Sequence, residues 1–108
     1  MNLPAEIFGE VIVVHAPEEF GADQADALEN HLSGLDRRRV VLDLDGAELL
    51  DSRGLEAILN VQERLRSQGG DVRIATANPT TRKIFEITRL DQHLELYESV
   101  IDAVKSLQ

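Results

Sequence analysis

The chain has 108 residues, a formal net charge of −9 and no cysteine. This length predicts one domain over residues 1–108, with roughly 60–70% of its unfolded surface buried on folding. The absence of cysteine excludes disulfides, thiolate metal sites and cysteine nucleophiles. The acidic charge argues against nucleic-acid binding, which requires a basic face. It agrees with a surface that keeps the domain soluble or that attracts a basic protein partner.

The first ten residues, MNLPAEIFGE, contain neither a basic segment nor an apolar one, so we expect no signal peptide. No apolar run approaches the length of about 18 residues that indicates a transmembrane helix, so we also expect no direct membrane insertion. The lack of cysteine fits a reducing compartment. These features together predict a cytoplasmic protein.

Two β-branched runs on either side of Gly9 predict a hairpin formed by residues 7–8 and 11–14. Residues 17–21 interrupt the pattern. Apolar residues then recur at helical spacing, at Ala22, Ala25, Leu28, Leu32 and Leu35. Beyond a polar loop, residues 40–44 form a nearly continuous apolar run, which indicates a strand buried on both faces.

The second half of the chain continues the alternation of strands and helices. A helix is predicted from Leu55, Ala57, Ile58, Leu59, Val61 and Leu65. Gly69-Gly70 is expected to end this helix, and residues 72–76 alternate as in a strand. Asn78-Pro79 is typical of a helix start. In that third helix, three residues are expected to face the core, namely Ile84, Phe85 and Ile87.

Residues 94–97 predict a short edge strand. Ser99 and Asp102 have the spacing of a capping box at the start of a last helix. The apolar stripe of that helix is expected to consist of Val100, Ile101, Val104 and Leu107. The resulting order, β-β-α-β-α-β-α-β-α, predicts an α/β fold. We expect a mixed four- to five-stranded sheet with an N-terminal hairpin and about four helices.

The segment Asp51-Ser52-Arg53-Gly54 lies where a strand gives way to a helix, and sites in such sheets lie at the carboxyl ends of strands. Asp51 or Ser52 can cap a helix that starts near Arg53 or Gly54, which explains both residues without any function. A hydroxyl at this place is also well positioned for phosphorylation, since a helix N-terminus tolerates an anion.

The stretch VVLDLDGAELLDSRGLEAIL resembles the STAS domain of anti-sigma factor antagonists. That family has an apolar strand, a short loop and then Asp-Ser-Ser/Thr-Gly-Leu at the start of a helix. The resemblance continues through GGDVRIATANPTTRKIFEITRLDQHLELYES and covers roughly residues 5–106. It implies a STAS-like fold over the whole chain and a protein-binding module without cofactor, metal or catalytic residues.

The resemblance implies that Ser52 is the phosphorylated serine, with Asp51 as the acidic residue before it and Gly54 as the glycine that brings the helix close to the strand. The unphosphorylated antagonist of the family binds an anti-sigma factor and frees a sigma factor. The anti-sigma factor is itself a serine kinase that phosphorylates the antagonist, and a PP2C-type phosphatase reverses the step. The resemblance therefore implies these two enzymes as partners.

Two departures from the family pattern affect the expected partner surface. Arg53 stands where the family usually has Ser or Thr, which bears on kinase recognition. The loop HAPEEFGADQADAL lacks the family's usual Gly-Glu-Leu-Asp, with Phe20 in the apolar place and Gly21 in the Asp place. Glu56 and Asn60, one helical turn apart, are expected as further polar contacts with the partner.

Two other functions stay open on the sequence. The chain can be a STAS subunit of a lipid-transport ATPase complex or of a stressosome-like scaffold, in which Ser52 is only a cap or a contact. A small enzyme using Asp51 and Ser52 is disfavoured, because the sequence has no paired base, nucleotide loop or metal motif. The three histidines lack ligand spacing, and Asp43 and Asp45 are separated from Asp51 by a loop, which disfavours a metal site.

Overall fold

The computed structural model describes residues 3–20, 22–34 and 38–108. The strands in this part of the chain are β1 (Ala5–Phe8), β2 (Val11–His15), β3 (Glu19–Phe20), β4 (Arg39–Asp43), β5 (Leu49–Leu50), β6 (Asp71–Ala75) and β7 (Leu96–Tyr97). The α-helices are α1 (Ala22–Ser33), α2 (Ser52–Ser67), α3 (Pro79–Ile87) and α4 (Val100–Leu107), and a 3₁₀ helix spans Leu90–Gln92.

Five of the strands form one mixed sheet in the order β1-β2-β4-β6-β7. The hairpin strands β1 and β2 are antiparallel, whereas each of the remaining neighbours in this sheet is parallel. The expected mixed sheet, hairpin and four helices are therefore confirmed. The central position of β4 agrees with its burial, since Val40, Val41 and Leu42 are all 0% exposed.

A second sheet, which the sequence did not predict, consists of the two-residue strands β3 and β5 paired in parallel. Its register places Glu19 opposite Leu49 and Phe20 opposite Leu50. Residues 17–21, interpreted from the sequence as an interruption, thus contain a strand. Two-residue strands are too short to produce a periodic pattern, so only the structure identifies them.

The main sheet separates two apolar clusters. The larger cluster lies against α1, α2 and α3, and its members include Val14, Leu28, Leu42, Ile58 and Phe85. The smaller cluster lies against α4 and includes Val11, Val13, Val41, Ala103 and Val104. Successive residues of β2 and β4 face opposite clusters, because side chains alternate between the two faces of a strand.

The predicted helix ends are confirmed. Asn78 caps α3 by accepting from the backbone N–H of Thr80, and Ser99 caps α4 by accepting from that of Asp102. Gly69 follows α2 with a φ of +84°, the left-handed conformation that favours glycine after a helix. Of the described helices, none combines the length and hydropathy needed to cross a membrane.

Two predictions about the core are wrong. Ile87 is 71% exposed and Ile101 is 66% exposed. Ile87 lies two positions after the buried Phe85, which on a helix turns it by about 200° to the opposite side. In α4 the packed stripe runs through Val100, Ala103, Val104 and Leu107, and Ile101 lies outside it. Leu35, expected in the first helix, lies outside the described residues.

Candidate functional site

Ser52 is the first residue of α2, directly beyond β5 and Asp51. Ser52 is exposed to solvent, and the preceding residue, Asp51, supplies the helix cap. Asp51 Oδ1 accepts hydrogen bonds from the backbone N–H groups of Arg53 at 3.0 Å and Gly54 at 3.1 Å. The carboxylate therefore satisfies two of the unpaired N–H groups at this helix end, and the Ser52 hydroxyl is not required as the cap.

Gly54 lies in the first turn of α2, pressed against Phe20. A Cβ atom added at position 54 would lie 2.5 Å from the carbonyl oxygen of Phe20 and would also overlap its ring. Such a separation is far inside normal van der Waals contact, so a side chain at this position requires the backbone to move. The close approach accounts for a glycine at this position.

The β3–β5 pair holds the segment before α2 in place. Besides the ladder, Glu48 N–H donates to the Glu18 carbonyl at 2.7 Å, and Asp51 N–H donates to the Phe20 carbonyl at 3.4 Å. Phe20 is 0% exposed and belongs to the larger apolar cluster. The backbone of Asp51 thus bonds to that of Phe20, and the Phe20 side chain packs in the core. These two contacts anchor the N-terminus of α2, with Ser52, to the core.

The residues that the sequence placed on the partner surface differ in accessibility. Phe20 was expected to contact the partner, but its side chain is fully buried, so in this structure it supports the site by packing instead. Gly21 lies outside the described residues. Glu56 is exposed, and Asn60 is half-buried with its Nδ2 donating to Glu29 Oε2 at 3.4 Å. Of these, Glu56 and Asn60 lie on the accessible side of α2.

Arg53, the residue after Ser52, bridges α1 and α2 through ion pairs with two carboxylates. Its guanidinium forms an ion pair with Asp26 of α1 and a second one, at 3.3 Å, with Glu56 of α2. The Asp26 charge, followed by the bond to Glu56, raises the pKa of Arg53 above its usual value. The side chains of Asp26 and Glu56 are 79% and 60% exposed, so water competes for both contacts.

A groove of about 510 Å³ lies further along the same helix pair, lined by Glu29, Asn60, Glu63, Arg64 and Ser67. Glu29 is the least accessible of its charged groups, with a side chain 13% exposed, and it pairs with Arg64 at 3.3 Å. The surface formed by α1 and α2, which we call the α1–α2 surface, therefore extends from Ser52 and Arg53 to this groove. It is polar and carries both signs of charge.

His15 connects three strands close to the segment that leads into β3. Its Nδ1 lies 2.7 Å from Asp43 Oδ2 on β4, and its Nε2 lies 2.8 Å from Glu6 Oε1 on β1. Only the protonated ring donates to both carboxylates at once. The bond to Glu6, and then the bond and charge of Asp43, raise the pKa of His15 against the opposing effect of partial burial.

The three aspartates considered as a metal cluster have separate structural contacts. Asp43 Oδ1 accepts from the Asp45 N–H at 3.0 Å, and Asp45 Oδ1 accepts from the Ala77 N–H at 2.8 Å. Asp51 caps α2. Within residues 3–20, 22–34 and 38–108, no group of three or more His, Asp and Glu side chains is placed to hold a metal ion.

Sequence reasoning missed the contribution of α1. Asp26 and Glu29 each follow a core residue of that helix, Ala25 and Leu28, and this spacing places them on the flank that faces α2. The signal was available, because helices that follow neighbouring parallel strands pack side by side. The choice of partners on α2, Arg53 and Arg64, depends on the helix rotation and is found only in the structure.

A model of the STAS domain matches residues 2–103. The chain belongs to the STAS family. An anti-sigma F factor antagonist of Paenibacillus polymyxa is 24% identical in an alignment that covers 100% of this chain and 97% of that protein. The crystal structure of an anti-sigma factor antagonist from Mycobacterium paratuberculosis matches with a TM-score of 0.85 at 28% identity, covering 98% of this chain and 92% of the other.

The same fold occurs in the Bacillus cell fate determinant SpoIIAA in its phosphorylated form, with a TM-score of 0.73 and 16% identity. The match covers 99% of this chain and 100% of that one. The β5–α2 junction is thus part of a STAS domain that is similar to proteins named anti-sigma factor antagonists.

Proposed function

We propose that this STAS domain is an anti-sigma factor antagonist switched by phosphorylation of Ser52. In the unphosphorylated state it binds an anti-sigma factor that is a serine kinase, and this binding frees a sigma factor. Phosphorylation of Ser52 by that kinase ends the complex, and a PP2C-type phosphatase restores the active form. The protein acts as a binding module and not as an enzyme.

The observation that carries this proposal is the division of roles between Asp51 and Ser52. Because the Asp51 carboxylate caps α2, the Ser52 hydroxyl is exposed at the helix start without being needed to hold the helix. A kinase can then modify it without unfolding the domain. The names of the relatives support an anti-sigma factor as the partner.

The physical effect of the modification is local. A phosphate adds a charge of about −1.5 to −2 and a large hydration shell at the rim of the α1–α2 surface. A complex that buries Ser52 must then remove water from a dianion, which weakens binding. Glu56 and Asn60, on the accessible side of α2, are the polar contacts that we assign to the partner interface.

The test compares Ser52→Ala and Ser52→Asp as baits for proteins of the native cell. We expect Ser52→Ala to retain a serine kinase of the anti-sigma type about tenfold more tightly than Ser52→Asp does, a difference of about 1.4 kcal/mol. Thr80→Asp is the matched control, since it adds the same charge at an exposed position in the first turn of another helix, α3, outside the α1–α2 surface, and should bind like the unaltered protein.

Equal retention of the kinase by Ser52→Ala and Ser52→Asp would contradict the switch. Copurification of both variants with a membrane ATPase or a large signalling scaffold, and with no kinase, would assign the domain to the alternative assemblies. In those assemblies Ser52 would be only a contact residue at the start of α2.

A further inference from the structure

Arg53 stands at the centre of the charges around Ser52. Its guanidinium pairs with Asp26 across the helix interface and with Glu56 along its own helix. Asp51 adds a third carboxylate on the other side of Ser52. The sequence position of Arg53 next to Ser52 puts their Cα atoms about 3.8 Å apart, within the reach of a long side chain.

A phosphate on Ser52 would find two of the N–H donors at the helix terminus already occupied. The N–H groups of Arg53 and Gly54 donate to Asp51 Oδ1, so these donors are not available to a second anion. The phosphate would also be attached to the residue next to Asp51, whose carboxylate repels a second negative charge nearby. A nearby cation would therefore stabilise the anion, and Arg53 is adjacent to it in the chain.

We propose that Arg53 is the residue that senses phosphorylation of Ser52: its guanidinium leaves Asp26 and Glu56 and pairs with the phosphate. This inference rests on the proposed function, which makes Ser52 the modified residue. It assigns Arg53 a regulatory role at the start of α2.

The exchange of partners follows from charge and exposure. A phosphate dianion carries about as much charge as the two carboxylates together, and it presents that charge at one group whose oxygens accept two parallel N–H bonds from arginine. Asp26 and Glu56 are largely exposed, so water replaces Arg53 at both carboxylates when it leaves. Adjacent side chains on a helix point in different directions, so the pairing involves only the guanidinium at the end of Arg53 and the phosphate oxygens on Ser52.

The loss of the ion pair between Arg53 and Asp26 also changes the charge pattern on α1. Without Arg53, Asp26 becomes an uncompensated carboxylate on α1 and Glu56 becomes one on α2, both beside the new phosphate. The contact of Glu29 with Arg64, further along the same helices, does not involve Arg53 and is retained. One modification thus changes the charge pattern over the near end of the α1–α2 surface, and the partner meets a surface altered on two helices.

The test places phosphoserine at position 52 of the full chain by genetic encoding and follows its phosphate by ³¹P NMR as the pH is varied. The second phosphate ionisation normally has a pKa of about 6. We expect Arg53→Gln to raise this pKa by about 0.5–1 unit, since an opposite charge nearby favours the ionised form. Asp26→Asn should lower it, because that variant frees Arg53 from its competitor.

Phosphoserine at position 80, in place of Thr80 in the first turn of α3, is the matched control, and Arg53→Gln should leave its titration unchanged. In addition, the Arg53 Nε–Hε signal should shift when position 52 is phosphorylated. An unchanged phosphate titration in Arg53→Gln, or an unshifted Arg53 signal, would overturn the inference. Because the phosphoserine is installed directly, this result is independent of whether the native cell phosphorylates Ser52.

Discussion

The carbonyl oxygen and the ring of Phe20 occupy the space that a side chain at position 54 would need. This contact joins the β3–β5 sheet to the first turn of α2 and so fixes the start of the helix that presents Ser52. It also explains why two features of the sequence, a lone Phe in a polar segment and a glycine near a helix N-terminus, occur together.

Gly54→Ala is expected to destabilise the domain. The added Cβ meets backbone as well as the Phe20 ring, and overpacking of this kind typically costs about 1–3 kcal/mol, more than the roughly 1 kcal/mol by which alanine favours a helix over glycine. Urea unfolding measures the effect. Gly46→Ala is the matched control, since its Cβ would come no closer than 4.0 Å to the nearest atom, the Ala16 carbonyl oxygen, and should leave the midpoint nearly unchanged.

Asp51→Ala is expected to lower the free energy of unfolding by about 1 kcal/mol, because two helix N–H groups lose their acceptor. Asp51→Asn keeps a side-chain oxygen at the same place and should cost much less. Chemical denaturation of both variants tests the cap. An equal loss in the two variants would mean that the charge of Asp51, and not its hydrogen bonds, provides the stabilisation.

The bridge from His15 to Glu6 and Asp43 predicts a pH-dependent stability. The pKa of His15 is raised in the folded state above the ordinary 6.5. Between the unfolded and the folded pKa the native state binds more protons, so stability falls as pH rises. The contribution of His15 is therefore complete below about pH 6.5 and is lost as the pH rises through the folded pKa.

Unfolding free energies measured between pH 5.5 and 9 should fall over this range in the unaltered protein and vary less in His15→Gln. Glu6→Gln, which removes the largest cause of the shift but keeps the histidine, should bring the imidazole titration, followed by NMR, back towards its ordinary pKa. An unchanged His15 pKa in Glu6→Gln would contradict the hydrogen bond between His15 and Glu6.

The sequence predicts the features that depend on local patterns. The five strands of the main sheet, the four helices and the caps at Asn78 and Ser99 follow from apolar periodicity and from helix-end chemistry. The β3–β5 sheet does not, since neither two-residue strand has a period. The burial of Phe20 was missed because a single apolar residue in a polar segment gives no facing direction.

Contacts between distant elements were also beyond reach of local patterns. The pairing of Arg53 with Asp26 depends on how α1 and α2 are rotated against each other. The bridge from His15 to Asp43 depends on the parallel register of β2 and β4, which places these two residues opposite each other. Asp26 lies 27 positions from Arg53, and Asp43 lies 28 positions from His15. No local pattern in the sequence links residues that far apart.

Phosphosite mapping by mass spectrometry on the protein isolated from its own cells, with copurifying proteins identified, tests most directly whether Ser52 is the phosphorylated switch. We predict phosphate on Ser52 in a fraction of the molecules and a serine kinase of the anti-sigma type bound to the unmodified fraction. Ser52 unmodified under several growth conditions, with a transporter or scaffold attached and no kinase, would contradict the account.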